Sequence, residues 1–270
     1  MTPRRRIALV WLGAFSIFGF LIYQARQARV LLEPAEVITG WWLFFLMVFL
    51  ALFNVRKKLS MLPTGKAETW LLFHAVGGVL ATAVYWLHVG VLWPLGLYEQ
   101  VLALLVYGTV LTGAFGYVIQ RVYPKRLTQT GVEVIYERIP REISELRDRV
   151  ENLVLGCTEK TESETLGRHY VDTLAWYFRR PRFFRHHVFG SQHGRQWLRQ
   201  QDSAVRRYLS DDEKEYLDQL MELAEYKNGL DAHYVYQGIM KGWLLLHVPL
   251  TVALLVISVW HVLVVHIYAL

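Results

Sequence analysis

The sequence is poor in charge, has one cysteine, and lacks the short motifs by which most chains hold a redox cofactor. Asp, Glu, Lys and Arg make up 19% of its 270 residues, against about 25% in soluble proteins. Cys157 has no second cysteine for an internal disulfide, and no C-x-x-C-H is present for covalent haem attachment. No cysteine cluster is available for iron–sulfur ligation, and no G-x-G-x-x-G for a dinucleotide. Any redox chemistry would have to rest on other ligands.

Long apolar runs are what the chain has instead. Residues 7–23, 36–55, 70–93, 98–119 and 243–268 each approach or exceed the roughly 20 residues that a spanning helix needs. The first run ends in QARQAR without a small-residue cleavage site, so it reads as a retained helix rather than a signal peptide. The expectation is a polytopic membrane protein with five spans. The net charge of +6 then reports topology. Arg4, Arg5 and Arg6 precede the first span, and Arg56, Lys57, Lys58 and Lys66 precede the third. The loop WPLGLYEQ after the third has no cation, and the loop after the first has only Arg26 and Arg29. The positive-inside rule places the N-terminus in the cytoplasm and the C-terminus on the periplasmic side. Nucleic acid is not an expected partner. No transit-like presequence is present, which favours a bacterial plasma (inner) membrane.

Between the fourth and fifth spans lies a polar segment, 121–241, with 20 Lys/Arg and 19 Asp/Glu. That near-balance suits a folded domain better than a polybasic tail. Ile143, Leu146, Val150 and Leu153 recur at helical spacing. TESETLGRHYVDTLAWYF reads as a second helix, and Ser210 with Glu213 opens a third as a capping box. The stretch FRRPRFFRHHVFGSQHGR is basic and aromatic. It reads as a loop on an anionic leaflet, or else as a docking face for an acidic protein. His186, His187 and His193 within it are expected at the surface. His233 reads as a surface histidine, with a second reading as a hydrogen-bond partner for a quinone head group beside Lys227 and Asp231. His266 is expected at the interface.

The histidines inside the apolar runs carry the chemistry. His74 and His88 are fourteen residues apart, and so are His247 and His261. At 100° per residue that spacing returns to nearly the same helix face, with a rise of about 21 Å. The third and fifth spans run in the same direction, so His74 can face His247 on one side of the membrane and His88 can face His261 on the other. Two stacked imidazole pairs are what two six-coordinate haems require, one imidazole above and one below each ring. Catalytic zinc would need three or four protein ligands at one point. Gly77 and Gly78 follow His74 on nearly its face and would let a flat macrocycle approach the backbone. Gly108, Gly113 and Gly116 could serve that purpose or ordinary helix packing.

Paired His-x13-His on two parallel membrane helices resembles the dihaem core of the cytochrome b of quinol:cytochrome c oxidoreductases and related respiratory cytochrome b subunits. The resemblance implies two haem b, with His74, His88, His247 and His261, and no other residues, carried over as axial ligands of the haem iron. It also implies a quinone pool as one partner, and as another a redox subunit such as a cytochrome c or a cytoplasmic iron–sulfur or flavin protein. The chain departs from that family in the insertion before its last span and in lacking the PEWY motif. The expected architecture is an all-α membrane protein: a four-helix dihaem bundle, one additional transmembrane helix, and a helical cytoplasmic domain inserted before the last span. The expected division is 1–120, 121–241 and 242–270, and the expected function is transmembrane electron transfer. A membrane anchor or a proton-relay transporter with non-haem histidines is the alternative. The absence of Asp and Glu from the interiors of the third to fifth spans weighs against the relay.

Overall fold

The computed structural model describes residues 2–58 and 66–268, and among them every regular element is helical. Four long helices come first: α1 (Pro3–Val30), α2 (Ala35–Lys58), α3 (Ala67–Val89) and α4 (Leu97–Thr128). Shorter ones follow: α5 (Ile139–Thr161), α6 (Thr165–His169), α7 (Ala175–Phe178), α8 (Phe184–Phe189) and α9 (His193–Arg206). A π-helical turn, Tyr170–Leu174, joins α6 to α7. The last helix, α10 (Asp211–Tyr268), runs for 58 residues without a break. Five helices (α1, α2, α3, α4 and α10) are long and apolar enough to cross a membrane.

The helix ends follow local chemistry. Pro3 opens α1, where its missing N–H costs nothing. This start places Arg4, Arg5 and Arg6 inside the first turns rather than ahead of the helix. Gly90 closes α3 with φ 73°, a left-handed conformation that glycine adopts freely. Ser210 and Glu213 form the reciprocal cap at the start of α10: the Ser210 amide donates to Glu213 Oε2 at 2.9 Å, and the Glu213 amide donates to Ser210 Oγ at 3.4 Å. The basic loop after the second span falls partly on residues 59–65, outside the described residues.

The chain divides into two compact units, Met1–Val118 with Trp243–Leu270, and Ile119–Gly242. The first has a core drawn from all five long helices: Leu21, Leu43, Leu80, Ala81, Val84, Tyr85, Ala103, Val106 and Leu254. Around that core the outward side chains are large and apolar, among them Phe15, Phe45, Leu104 and Trp260, as suits helices facing lipid. The second unit is helical and has its own apolar core. Ile139, Ile143, Leu146, Val150 and Val154 on α5 pack against Leu166, Leu174, Tyr177 and Phe178, and against Leu217, Leu220 and Ala224 on α10. A buried leucine of this kind stabilises the fold by about 1.5–3 kcal/mol.

Sequence reasoning treated the capped helix after Ser210, the segment around His233 and the fifth span as successive pieces, whereas they are one helix. Pro249 does not end it; its ring costs one backbone hydrogen bond in the apolar stretch.

Candidate functional site: two histidine pairs in the apolar helices

α3 and α10 bring the four histidines together in two pairs. The rings of His74 and His247 have centres 6.4 Å apart and planes crossed at 81°. Those of His88 and His261 are 6.3 Å apart and crossed at 85°. All four side chains are half-buried. Within each helix the two histidines are fourteen residues apart, a rise of about 21 Å.

Hydrogen bonds set the tautomers. His74 Nδ1 lies 3.2 Å from the Leu50 carbonyl and His88 Nδ1 lies 3.0 Å from the Glu36 carbonyl, both on α2. A carbonyl only accepts, so in each neutral imidazole Nδ1 carries the proton and Nε2 the lone pair. His247 Nδ1 lies 2.9 Å from Thr112 Oγ1. The Thr112 hydroxyl donates its own proton to the Gly108 carbonyl at 2.7 Å, so its oxygen is the acceptor for His247. Thr39 acts likewise toward His88, donating to the Ala35 carbonyl at 3.0 Å and standing 3.3 Å from Nδ1. An Nδ1–H held by an oxygen is the usual outer arrangement of a metal-ligating histidine.

Aromatic rings hold the imidazoles in place. Trp243 stacks on His247 at 5.4 Å and 19°, and its indole N–H donates to the Thr112 carbonyl at 2.7 Å. Tyr98 stacks on His261 at 5.9 Å, and Phe53 lies 4.9 Å from His74.

The separation of the ring centres, taken alone, equals that of two imidazoles on opposite sides of one metal ion. An imidazole–metal bond of about 2 Å, with each nitrogen about 1.15 Å from its ring centre, puts the two ring centres about 6.3 Å apart. Among the described residues no group of three or more His, Cys, Asp or Glu converges on a point. A bare ion would be short of ligands, whereas a porphyrin brings four equatorial nitrogens of its own. The four histidines therefore suit haem better than a free metal ion.

The glycines divide differently from the sequence expectation. A Cβ on Gly77 would meet Leu50 Cδ2 at 2.9 Å, so that glycine admits the close approach of α2. Gly78 faces open space. The glycines that touch the histidines are Gly40 and Gly113: a Cβ there would come within 3.0 Å of His88 Cε1 and 3.4 Å of His247 Cε1. Gly116 makes room for the Trp243 indole, and Gly108 faces Leu250. Sequence reasoning missed Thr39, Gly40 and Thr112. Of the four Thr-Gly dipeptides in the sequence, two lie inside apolar runs, at 39–40 and 112–113, and there the threonine binds an imidazole while the glycine clears the ring.

In the second unit two histidine expectations are corrected. His187 is only 6% exposed; it turns inward beneath α8 rather than lying at the surface. Burial and the nearby Lys227 ammonium bring its pKa down to about 4. His233 is buried too, with Thr130 Oγ1 at 3.0 Å from Nε2 and Gln237 Nε2 at 2.9 Å from Nδ1. Both ring nitrogens are engaged by the chain, although the ring lines a cavity of about 610 Å³ with Thr128, Glu133, Arg138 and Glu142. Lys227 and Asp231 form a fully buried ion pair at 2.7 Å. Lys227 also donates to the Arg180 carbonyl at 2.9 Å and lies 4.2 Å from the Tyr177 ring centre. Burial lowers the Lys227 pKa and raises that of Asp231, in each case against the charged form. His186 and His193 are exposed as expected, and Cys157 is a free, buried thiol.

Comparison with protein families, with curated proteins and with solved structures finds no match to this chain.

Proposed function

We propose that the protein carries electrons across a membrane through two b-type haems, His74 and His247 serving one and His88 and His261 the other. The observation that carries this reading is the spacing of the pairs, 6.4 and 6.3 Å between ring centres. That is the separation two imidazoles take on opposite sides of one metal ion.

Haem supplies reversible one-electron chemistry at its iron. The protein's part is to hold and insulate. Leu50, Glu36, Thr39 and Thr112 would keep Nδ1 protonated and so leave the Nε2 lone pairs of three imidazoles free to bind a metal. The apolar surround disfavours added charge, which tunes the potential of whatever is bound. The two pairs sit at different depths along α3 and α10, which suits relay from one face of a membrane to the other.

The partners belong to the same proposal. A quinone pool at one end and a soluble or membrane redox subunit at the other would complete the path, in a bacterial inner membrane with the N-terminus cytoplasmic. With no flavin or cluster motif in this chain, substrate chemistry falls to those subunits. A pyridine haemochrome measurement on protein purified from haem-replete cells tests the reading. Two non-covalent haems b per chain are expected, and none would end it.

A further inference from the structure

We propose that the Tyr85 hydroxyl donates a hydrogen bond to a propionate carboxylate of the haem on the His88–His261 pair. This role rests on the function proposed above and adds to it a residue that binds the cofactor away from its iron.

Tyr85 lies on the histidine face of α3. It comes eleven residues after His74 and three before His88. At 100° per residue it therefore projects within about 20° of the first and about 60° of the second. The residue is 4% exposed and belongs to the core that all five long helices share. Its ring meets that of Tyr107 on α4 edge-on at 5.8 Å. The hydroxyl, sealed inside that core, has no hydrogen-bond partner among the described residues. Buried hydroxyls are seldom left unpaired, because the lost contact with water is not repaid. An acceptor from outside the chain accounts for this one.

The neighbouring hydroxyls are already committed. Thr39 donates to the Ala35 carbonyl at 3.0 Å, and Tyr98 to the Ile257 carbonyl at 3.3 Å. Tyr107 donates to the Leu92 carbonyl at 2.6 Å and accepts from the Trp86 indole at 3.2 Å. Tyr85 alone among these four has a proton to give. Ser258 is the counterpart on α10, three residues before His261 as Tyr85 is three before His88, and it is 7% exposed. Its smaller side chain makes it the competing donor.

The charges around the pair steer an acidic group toward Tyr85. Glu36, whose carbonyl holds His88, and Glu99, next to the Tyr98 ring on His261, stand exposed at this end of the bundle. A haem carboxylate turned toward them meets two more charges of its own sign. Arg26 and Arg29 are exposed on α1, which carries none of the residues that bond or stack on these two imidazoles. The depth is moderate. α3 ends at Val89, four residues past Tyr85, a rise of about 6 Å. The hydroxyl is thus inside the core yet close to its polar end.

A donor on that carboxylate disperses negative charge near the iron and so favours the ferrous state. Tyr85→Phe removes the oxygen and keeps the ring in the core. The test is a potentiometric titration of the full chain from haem-replete cells, followed in the visible spectrum, with resonance Raman spectra of the reduced protein. The component that His88→Ala removes identifies this haem. In Tyr85→Phe two haems should still bind. At a fixed ambient potential the ferric-to-ferrous ratio of this component should rise several-fold, with the other component unmoved. Its propionate-bending Raman band should shift as well. In the unsubstituted chain, exchange into D2O should shift the same band, a readout that needs no variant. Tyr107→Phe, which removes a hydroxyl committed to Leu92, should move neither measurement. Two bound haems with potential and band unchanged in Tyr85→Phe would overturn the proposal and leave the haem reading standing. So would a shift given by Ser258→Ala and not by Tyr85→Phe. An unsubstituted chain that binds no haem would overturn both.

Discussion

His88 and His261 face each other with ring centres 6.3 Å apart and planes at 85°, and His74 and His247 repeat the arrangement at 81°. Crossed axial imidazoles leave the two π orbitals of a low-spin iron nearly degenerate, whereas parallel rings separate them. The oxidised protein is therefore expected to give strongly anisotropic electron paramagnetic resonance signals with one large g value for each haem. A rhombic signal of ordinary spread would show that the rings rotate toward parallel on binding, against the packing of Trp243 and Tyr98 on them.

The buried pair in the second unit makes a stability prediction. Lys227 and Asp231 have fully buried side chains. Removing one partner strands a charge in a medium that solvates it poorly. Lys227→Met should destabilise the unit by about 3–5 kcal/mol, and Lys227→Met/Asp231→Leu should recover most of that loss. Denaturant unfolding of the two variants checks the pair. Equal stability of the single variant and the parent chain would mean that the pair contributes nothing.

His187 sets an acid limit on the same unit. Its folded pKa lies near 4, against 6.5 when unrestrained, so on acidification the unfolded chain takes up the proton first. The neutral ring's contribution is complete above about pH 6.5 and is lost progressively down to about pH 4, amounting to about 3 kcal/mol. Thermal unfolding followed from pH 7 to pH 4 should show this fall, and His187→Gln should flatten it. An unchanged slope in the variant would place the acid sensitivity elsewhere.

The five apolar helices, the helix through Ile143 and Leu146, the Ser210–Glu213 cap and the pairing of the histidines were legible because each follows from short-range periodicity or from residue types at fixed offsets. What the sequence hid depends on which face meets which neighbour. Gly77 looked like a clearance beside His74, yet its space is taken by Leu50 from another helix, while Gly40, far away in sequence, clears His88. His187 and His233 are polar residues in polar stretches, and nothing local shows that tertiary packing buries both. Arg182 sits among cations that stay outside; only the position of the Trp176 ring turns it in.

The central claim is that four histidines make two sites, and reduced-minus-oxidised visible spectra of the four single His→Ala variants test it most directly. His74→Ala and His247→Ala should each remove the same haem b component. His88→Ala and His261→Ala should each remove the other and leave the first in place. Loss of one common component in all four, or spectra free of haem in the parent chain, would contradict the account.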